Sequence, residues 1–395
     1  MEKLTNQEKL RPWQGFVLFA AVMVFFIFAC APMQLAWGIP GLIATELSFL
    51  VIAIVYGLVR KIPLKEMFPI KMPKFRDIAG SLILVLGGSM IGITSVGLIG
   101  TLFPQTMNEA AEMSDMLYGT MSLPVTILVV ALMPAVCEEA IHRGAILAHF
   151  RSIKKEWVIV LIMAIFFGIN HVSFLRFFNT ALLGACLTYV LVKKNNFILN
   201  MLMHFSVNCC ASLITYLSSQ SGANPSNAAN IDMLPALGMY LILGFLAPVF
   251  IVIGTMLIDP KSHKKIRFLF AGILSVIMLV SGIAVTSYAG SKNAVLNSTI
   301  SYEVTADSME NSTLDFEIEE DRSATIAVVL VNAEGDYTIR IDGDSGSNII
   351  NAEIPSGAIR TLSYNVDLKA DHYTITIVPG DNAIGEQPQI QIMIQ

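Results

Sequence analysis

Three groups of polar residues interrupt stretches that are otherwise apolar: "CEEAIHRG" at Cys137–Gly144, "FGINH" at Phe167–His171 and "HFSVN" at His204–Asn208. They supply Glu138, Glu139, His142 and Arg143, then Asn170 and His171, then His204 and Asn208, while Glu46 stands apart in an earlier apolar stretch near Pro40. Ionisable groups inside a bilayer are costly and mark function by default. Residues four apart share a helix face, so Glu139 and Arg143 can neutralise each other and make their own burial tolerable. Glu138 is rotated by about 100° from Glu139 and stays free, with His142 four residues further on and within reach. A carboxylate, two histidines and an amide in a dry cavity suit hydrolysis of a peptide bond. Glu138 would act as general base toward water, and His171 would orient that water or take its proton. His204 and Asn208, on one helix face, would donate to the developing oxyanion. The same groups also match a zinc site in which Glu138, His171 and His204 hold the ion and water completes it. Acids and histidines at mid-membrane equally suit a proton or ion pathway. The helical zinc-protease pattern HExxH is absent from the sequence.

The elements that must hold these residues are membrane helices. The 395 residues are 54% hydrophobic and 14% charged, against about 25% charged in an ordinary soluble domain. Nine apolar segments can be traced: 13–35, 42–59, 78–103, 123–150, 157–174, 177–192, 197–217, 234–258 and 268–289. All but the sixth approach or exceed the ~17 residues needed to span a bilayer. The first is too long for the apolar run of a cleaved signal. Eighteen of the 20 Lys/Arg in the first 290 residues fall in segments that share one side, from Lys3, Lys9 and Arg11 to Lys261–Arg267; Arg176 alone falls on the other side, and Arg143 lies within the membrane. That bias places the N-terminus in the cytoplasm and the C-terminus outside. Counted from the cytoplasmic ends at ~1.5 Å per residue, Glu138 lies about 18 Å deep, His171 about 21 Å and Asn208 about 16 Å, with His204 at about 10 Å. Three helices therefore bring the chemistry to mid-bilayer. His142 and His149 read as packing residues, and the glycines of the third segment (Gly80, Gly87, Gly88, Gly92, Gly97, Gly100) as points of close helix approach.

From Ser291 onward the chain changes character: 5 Lys/Arg stand against 17 Asp/Glu, a net −12 that leaves +7 on the preceding residues. Strings such as "TIAVVLVN", "DYTIRIDG" and "HYTITIVPG" alternate with period two between turn residues. Seven or eight strands in this length predict a β-sandwich-like unit. The fold expected is an all-α polytopic membrane bundle of about nine helices over 1–290, followed by an extracytoplasmic all-β unit over 291–395. None of the five cysteines lies in the tail, so packing and not disulfides must hold it.

Glu138, Glu139 and Arg143 form the pattern EExxxR, Phe167 and His171 form FxxxH, and His204 and Asn208 form HxxxN. In order and spacing these resemble the CPBP family, which comprises the CAAX prenyl endopeptidases and the bacterial proteins linked to bacteriocin processing and self-immunity (the Abi family). The resemblance is strongest over 123–217. It implies an intramembrane endopeptidase acting on a membrane-associated or lipidated protein or peptide. Glu138 would be the water-activating base assisted by His171, His204 and Asn208 the oxyanion site, and Glu139 and Arg143 the support, with Phe167 in the same motif. The family has been described both as metalloproteases and as metal-independent glutamate proteases; the metal-independent form is the expectation here, with zinc at Glu138, His171 and His204 the other. The setting expected is a bacterial plasma membrane, with the lipid bilayer and a peptide substrate as partners and no nucleic acid; the ninth helix and the β unit lie beyond the family core and inherit nothing from it, and the outer position of the β unit alone suggests an extracytoplasmic partner. A non-catalytic membrane adaptor or a proton- or ion-coupled transporter is the alternative.

Overall fold

A computed structural model describes residues 10–107, 121–220, 233–262, 264–293, 295–305, 312–346, 348–354 and 359–394; Lys3 and Lys9 of the orientation argument lie outside them. The chain divides into a helical unit up to Thr286 and a β unit from Ser287. The helices are α1 (Pro12–Trp37), α2 (Ile39–Val59), α3 (Phe75–Leu102), α4 (Leu123–Phe150), α5 (Glu156–Asn170), α6 (Phe174–Lys194), α7 (Phe197–Gln220), α8 (Met233–Leu243), α9 (Ala247–Ile258) and α10 (Lys265–Asn293). Among the described residues seven are long and apolar enough to cross a membrane, and α8 with α9, bent by 43° at their junction, have the length and apolarity of a broken span or a re-entrant loop. Gly244 lies in that break and Pro248 opens α9, where its missing N–H costs nothing.

The short member is the fifth apolar segment, and the sixth is full length, the reverse of the expectation. Apolarity continues through Val172 and Phe174, but the helix stops after 15 residues at Asn170. Val172 turns into the left-handed region (φ 44°), and the Ser173 hydroxyl accepts the Arg176 N–H to start α6 at Phe174. Lys193 and Lys194 end α6, where cations suit the helix dipole, and Asn195 caps it with φ 46°.

In lipid, helices gain nothing from hiding apolar surface from one another, so association rests on close packing. The α3 glycines act in this way. A Cβ on Gly87 would lie 2.8 Å from the Ala247 carbonyl of α9, and one on Gly92 2.0 Å from Asn179 Oδ1 of α6. The second half of α4 is the centre of the unit: every residue from Glu139 to Phe150 is buried. This helix has two π-helical stretches, at Ile127–Leu132 and Ala140–Ile146, and ends in a 3-10 turn at Leu147–Phe150. The π-helical turns free backbone groups and are frequent at functional sites.

The basic inter-helix segments meet at one end of the helical unit. Arg60 donates to Gln14 (3.3 Å), Lys193 pairs with Glu156 (2.6 Å) and Asp259 (2.9 Å), and Lys194 pairs with Asp77 (2.7 Å).

The β unit contains eight described strands in two four-stranded antiparallel sheets, ordered β1-β8-β3-β6 and β2-β7-β4-β5, where β1 is Leu296–Ser301, β2 Ser312–Ile318, β3 Arg322–Val331, β4 Tyr337–Gly343, β5 Asn348–Ile354, β6 Ile359–Leu368, β7 Asp371–Pro379 and β8 Gln389–Ile394. Alternate residues of both sheets, among them Ile326, Val328 and Ile392 from one and Ile339, Ile341 and Ile375 from the other, share one core.

Candidate active site

Glu139 accepts from three side chains on two helices. It is fully buried, and its Oε1 accepts from Arg143 Nη1 (2.9 Å) and from His204 Nδ1 (3.0 Å). Its Oε2 accepts from Asn200 Nδ2 (3.2 Å). The Arg143 guanidinium donates onward from Nη2 to the Gly184 carbonyl (3.3 Å) and lies 4.2 Å above the Phe167 ring. A buried ion pair repays its desolvation only when the remaining donors and acceptors are also met; here α4, α6 and α7 together supply partners for both Glu139 oxygens and both Arg143 Nη atoms, while Arg143 Nε is buried without one. Gly184 is needed for this approach, since a Cβ there would stand 2.8 Å from Phe167 Cβ and 3.4 Å from Arg143 Nη2.

Phe167 is the hub beneath the site. Besides the arginine, it makes edge contacts with His171 (5.0 Å between centroids), His204 (5.6 Å) and His142 (5.3 Å). His142 therefore packs among rings, including Phe19 (6.5 Å), and does not turn to Glu138 as its spacing suggested. His149 is buried and bonds the Tyr56 hydroxyl (2.7 Å), a packing role.

Glu138 differs from its neighbour in every respect. Its side chain is 13% exposed, its Oε2 has no hydrogen-bond partner, and the nearest cation-forming group is His204 Nε2 at 3.9 Å. It faces a cavity of about 350 Å³ whose wall also includes His171, His204 and Asn208, so the depth match across three helices corresponds to one shared space. The ring orientations follow from their partners. A carbonyl only accepts, so His171 Nδ1 carries the proton it gives to the Phe167 carbonyl (2.8 Å), and Nε2 is the atom left for chemistry. His204 gives its Nδ1 proton to the Glu139 carboxylate, which leaves Nε2 on the Glu138 side. Asn208 Nδ2 donates one hydrogen to the Val130 carbonyl (3.3 Å), inside the first π-helical turn of α4, and retains a second.

The cavity also holds residues whose part was not legible. Glu46 is 3% exposed, has an unpartnered Oε2 and lines the same cavity as Glu138, although its place near Pro40 suggested the outer surface. Arg176 and Asn179 line it from the first turns of α6. Asn200, which also donates to the Leu187 carbonyl (2.9 Å), was missed altogether. Its signal was spacing: Asn200, His204 and Asn208 repeat every four residues on one face.

Both Nδ1 atoms are engaged, His171 with the Phe167 carbonyl and His204 with Glu139, which leaves both Nε2 atoms open, the state in which a histidine can also ligate a metal. Among the described residues no group of three His, Cys, Asp or Glu side chains is placed to hold a metal ion, and no step is derived through one.

Residues 120–210 match the family model described as "Type II CAAX prenyl endopeptidase Rce1-like". The match covers under a quarter of the chain and contains Glu138, Glu139, Arg143, Phe167, His171, His204 and Asn208. It supports endopeptidase activity within the membrane and, with it, a peptide substrate and a lipid environment. No curated protein and no solved structure matches the chain.

Proposed function

We propose that the protein is an intramembrane endopeptidase that cleaves a membrane-associated or lipidated protein by carboxylate-activated water. The observation that carries this reading is the contrast between adjacent glutamates: Glu139 is fully engaged by Arg143, His204 and Asn200, while Glu138 lines the cavity with its Oε2 buried and without a hydrogen-bond partner. Glu138 takes a proton from water, and the hydroxide oxygen bonds the scissile carbonyl carbon. His171 accepts from the same water through Nε2 and holds it in line. The oxyanion that forms receives hydrogen bonds from the second Asn208 amide hydrogen and from His204 Nε2–H, in the form of the ring that carries both protons. The C–N bond then breaks, and Glu138 returns its proton to the leaving amine. Glu139 and Arg143 act as positioning residues, since their contacts reach the reaction through His204 and Phe167. The Lys/Arg bias favours a cytoplasmic N-terminus and a β unit on the outer side of a plasma membrane.

The test is a product assay. Purified wild type and Glu138→Gln, in lipid, are incubated with prenylated CAAX-type peptides and with the membrane peptides of the source cell, and products are read by mass spectrometry. Fragments that appear only with wild type establish the endopeptidase and name the bond. Identical product lists from two folded proteins overturn it, and proton or ion flux in liposomes that stops in Glu138→Gln would replace it with a transporter.

A further inference from the structure

The basic end of the helical unit has a second cavity, of about 740 Å³, that the proteolytic reading does not use. Its wall includes Lys65, Glu66, Phe68 and Lys71 from the α2–α3 connection, Arg151 from the turn after α4 and Asn195 from the α6–α7 turn. These three segments are tied to one another before any ligand arrives. Phe197 N–H donates to the Pro69 carbonyl (2.7 Å), Asn196 Nδ2 to the Lys71 carbonyl (3.0 Å) and Arg151 Nη1 to Asn195 Oδ1 (3.0 Å), and the Phe68 ring meets Phe197 edge-on at 5.4 Å.

Charge at this end is handled in two ways. Lys193 and Lys194 are neutralised by Glu156, Asp259 and Asp77. Lys65, Lys71 and Arg151, which line the cavity, make no such ion pair among the described residues, and Glu66 is the one carboxylate in the wall. Arg151 Nε is buried without a hydrogen-bond partner, a condition that costs free energy unless something accepts from it. Beside the cations the wall is apolar: Phe68 lies within it, and Ile70 (68% exposed) leads to Met72 (94% exposed) on the surface. The volume falls in the range of small-molecule sites, roughly 300–1,000 Å³.

We propose that this cavity holds the phosphate headgroup of an anionic phospholipid. A phosphate answers the net positive charge of Lys65, Lys71 and Arg151 against the single carboxylate Glu66, which already acts on Arg151, and a glycerol with its attached chains answers the apolar wall that continues onto the surface. Basic pockets at the ends of transmembrane helices recognise such headgroups, with about 1 kcal/mol, or about fivefold, for each Lys or Arg near the surface.

The experiment is native mass spectrometry of the full chain in detergent with added phosphatidylglycerol, phosphatidylcholine or inorganic phosphate. Wild type is expected to retain phosphatidylglycerol about a hundredfold better than phosphatidylcholine, about fivefold for each of the three cations. Lys65→Gln with Lys71→Gln, two exposed side chains that carry no packing, should reduce that preference about twentyfold, and adding Arg151→Gln should abolish it. Lys154→Gln with Lys155→Gln, at the same end but outside the cavity wall, should leave it intact. Equal retention of both lipids by wild type overturns the proposal, as does a preference that survives in the triple variant or is lost equally in the Lys154/Lys155 control. Saturable retention of inorganic phosphate without phosphatidylglycerol assigns the site to a free anion and overturns the lipid.

Discussion

Glu139 Oε1 lies 3.0 Å from His204 Nδ1 while it also accepts from Arg143, so one buried carboxylate oxygen joins the structural ion pair to a histidine of the cavity. The stability and the chemistry of this unit are therefore not separable at Glu139. Glu139→Ala leaves the Arg143 charge without its counter-ion and the His204 Nδ1–H without its acceptor, and leaves the Asn200 amide only the Leu187 carbonyl. Breaking a buried pair from one side costs about 3–5 kcal/mol. The expected outcome is a sharply lower yield and thermal midpoint together with lost cleavage. The double variant Glu139→Ala with Arg143→Ala should be less unstable than the sum of the single variants, a coupling that a thermodynamic cycle measures. Normal yield and normal cleavage in Glu139→Ala would sink the assignment.

Glu138→Gln should behave in the opposite way. No hydrogen bond to Glu138 Oε2 is lost, and the isosteric amide fits the same cavity. The thermal midpoint in detergent should stay within a few degrees of wild type, while turnover falls by about 10²–10⁴-fold, the usual contribution of a positioned general base. A variant that loses stability in step with activity would show that Glu138 supports the fold instead.

What the sequence disclosed was what local geometry determines. The Glu139–Arg143 pair follows from a spacing of four, and the common depth of Glu138, His171 and Asn208 follows from helical rise alone. The β strands announced themselves by alternation. Relationships across helices carry no such signature: nothing in the order of residues says that Glu139 reaches His204, or that Glu46 and Arg176 face the same cavity as Glu138. The end of α5 was hidden for another reason. Hydropathy runs on through Val172 and Phe174, and only the left-handed turn at Val172 and the Ser173 cap stop the helix beside His171. The π-helical turns of α4, one of which offers the Val130 carbonyl to Asn208, likewise leave no mark in an apolar string.

In the β unit, Glu386 supports a prediction about pH. Partial burial acts to raise its pKa, but the N–H groups of Glu334 and Gly335 and the Tyr337 hydroxyl, each at 2.8 Å, donate to the carboxylate, and Arg360 adds a positive charge; the net effect holds Glu386 below the usual carboxylate range. A depressed folded pKa means stability that is fully present above the unfolded value of about 4.3 and is lost as pH falls through the folded one. Glu386→Gln should therefore lower the thermal transition seen by tyrosine near-ultraviolet circular dichroism at neutral pH. The gap to wild type should narrow below about pH 4. A gap that is constant with pH would assign the role of Glu386 to packing and not to its charge.

Asn208 tests the oxyanion assignment, because its two amide hydrogens have different duties. One is fixed on the Val130 carbonyl and sets the side-chain plane; the other is available to the cavity. Donors aimed at a developing oxyanion act in the transition state, so their loss lowers the rate constant of the chemical step and leaves substrate binding nearly unchanged. Asn208→Ala should reduce kcat by about 10²–10³-fold with KM within a few-fold of wild type. Asn208→Asp should be at least as slow, since it places an acceptor where a donor is required. Steady-state cleavage of a prenylated CAAX-type peptide in lipid gives both constants. If Asn208→Ala raises KM and leaves kcat intact, Asn208 binds the substrate and not the oxyanion, and His204 would then be the one remaining donor of the pair.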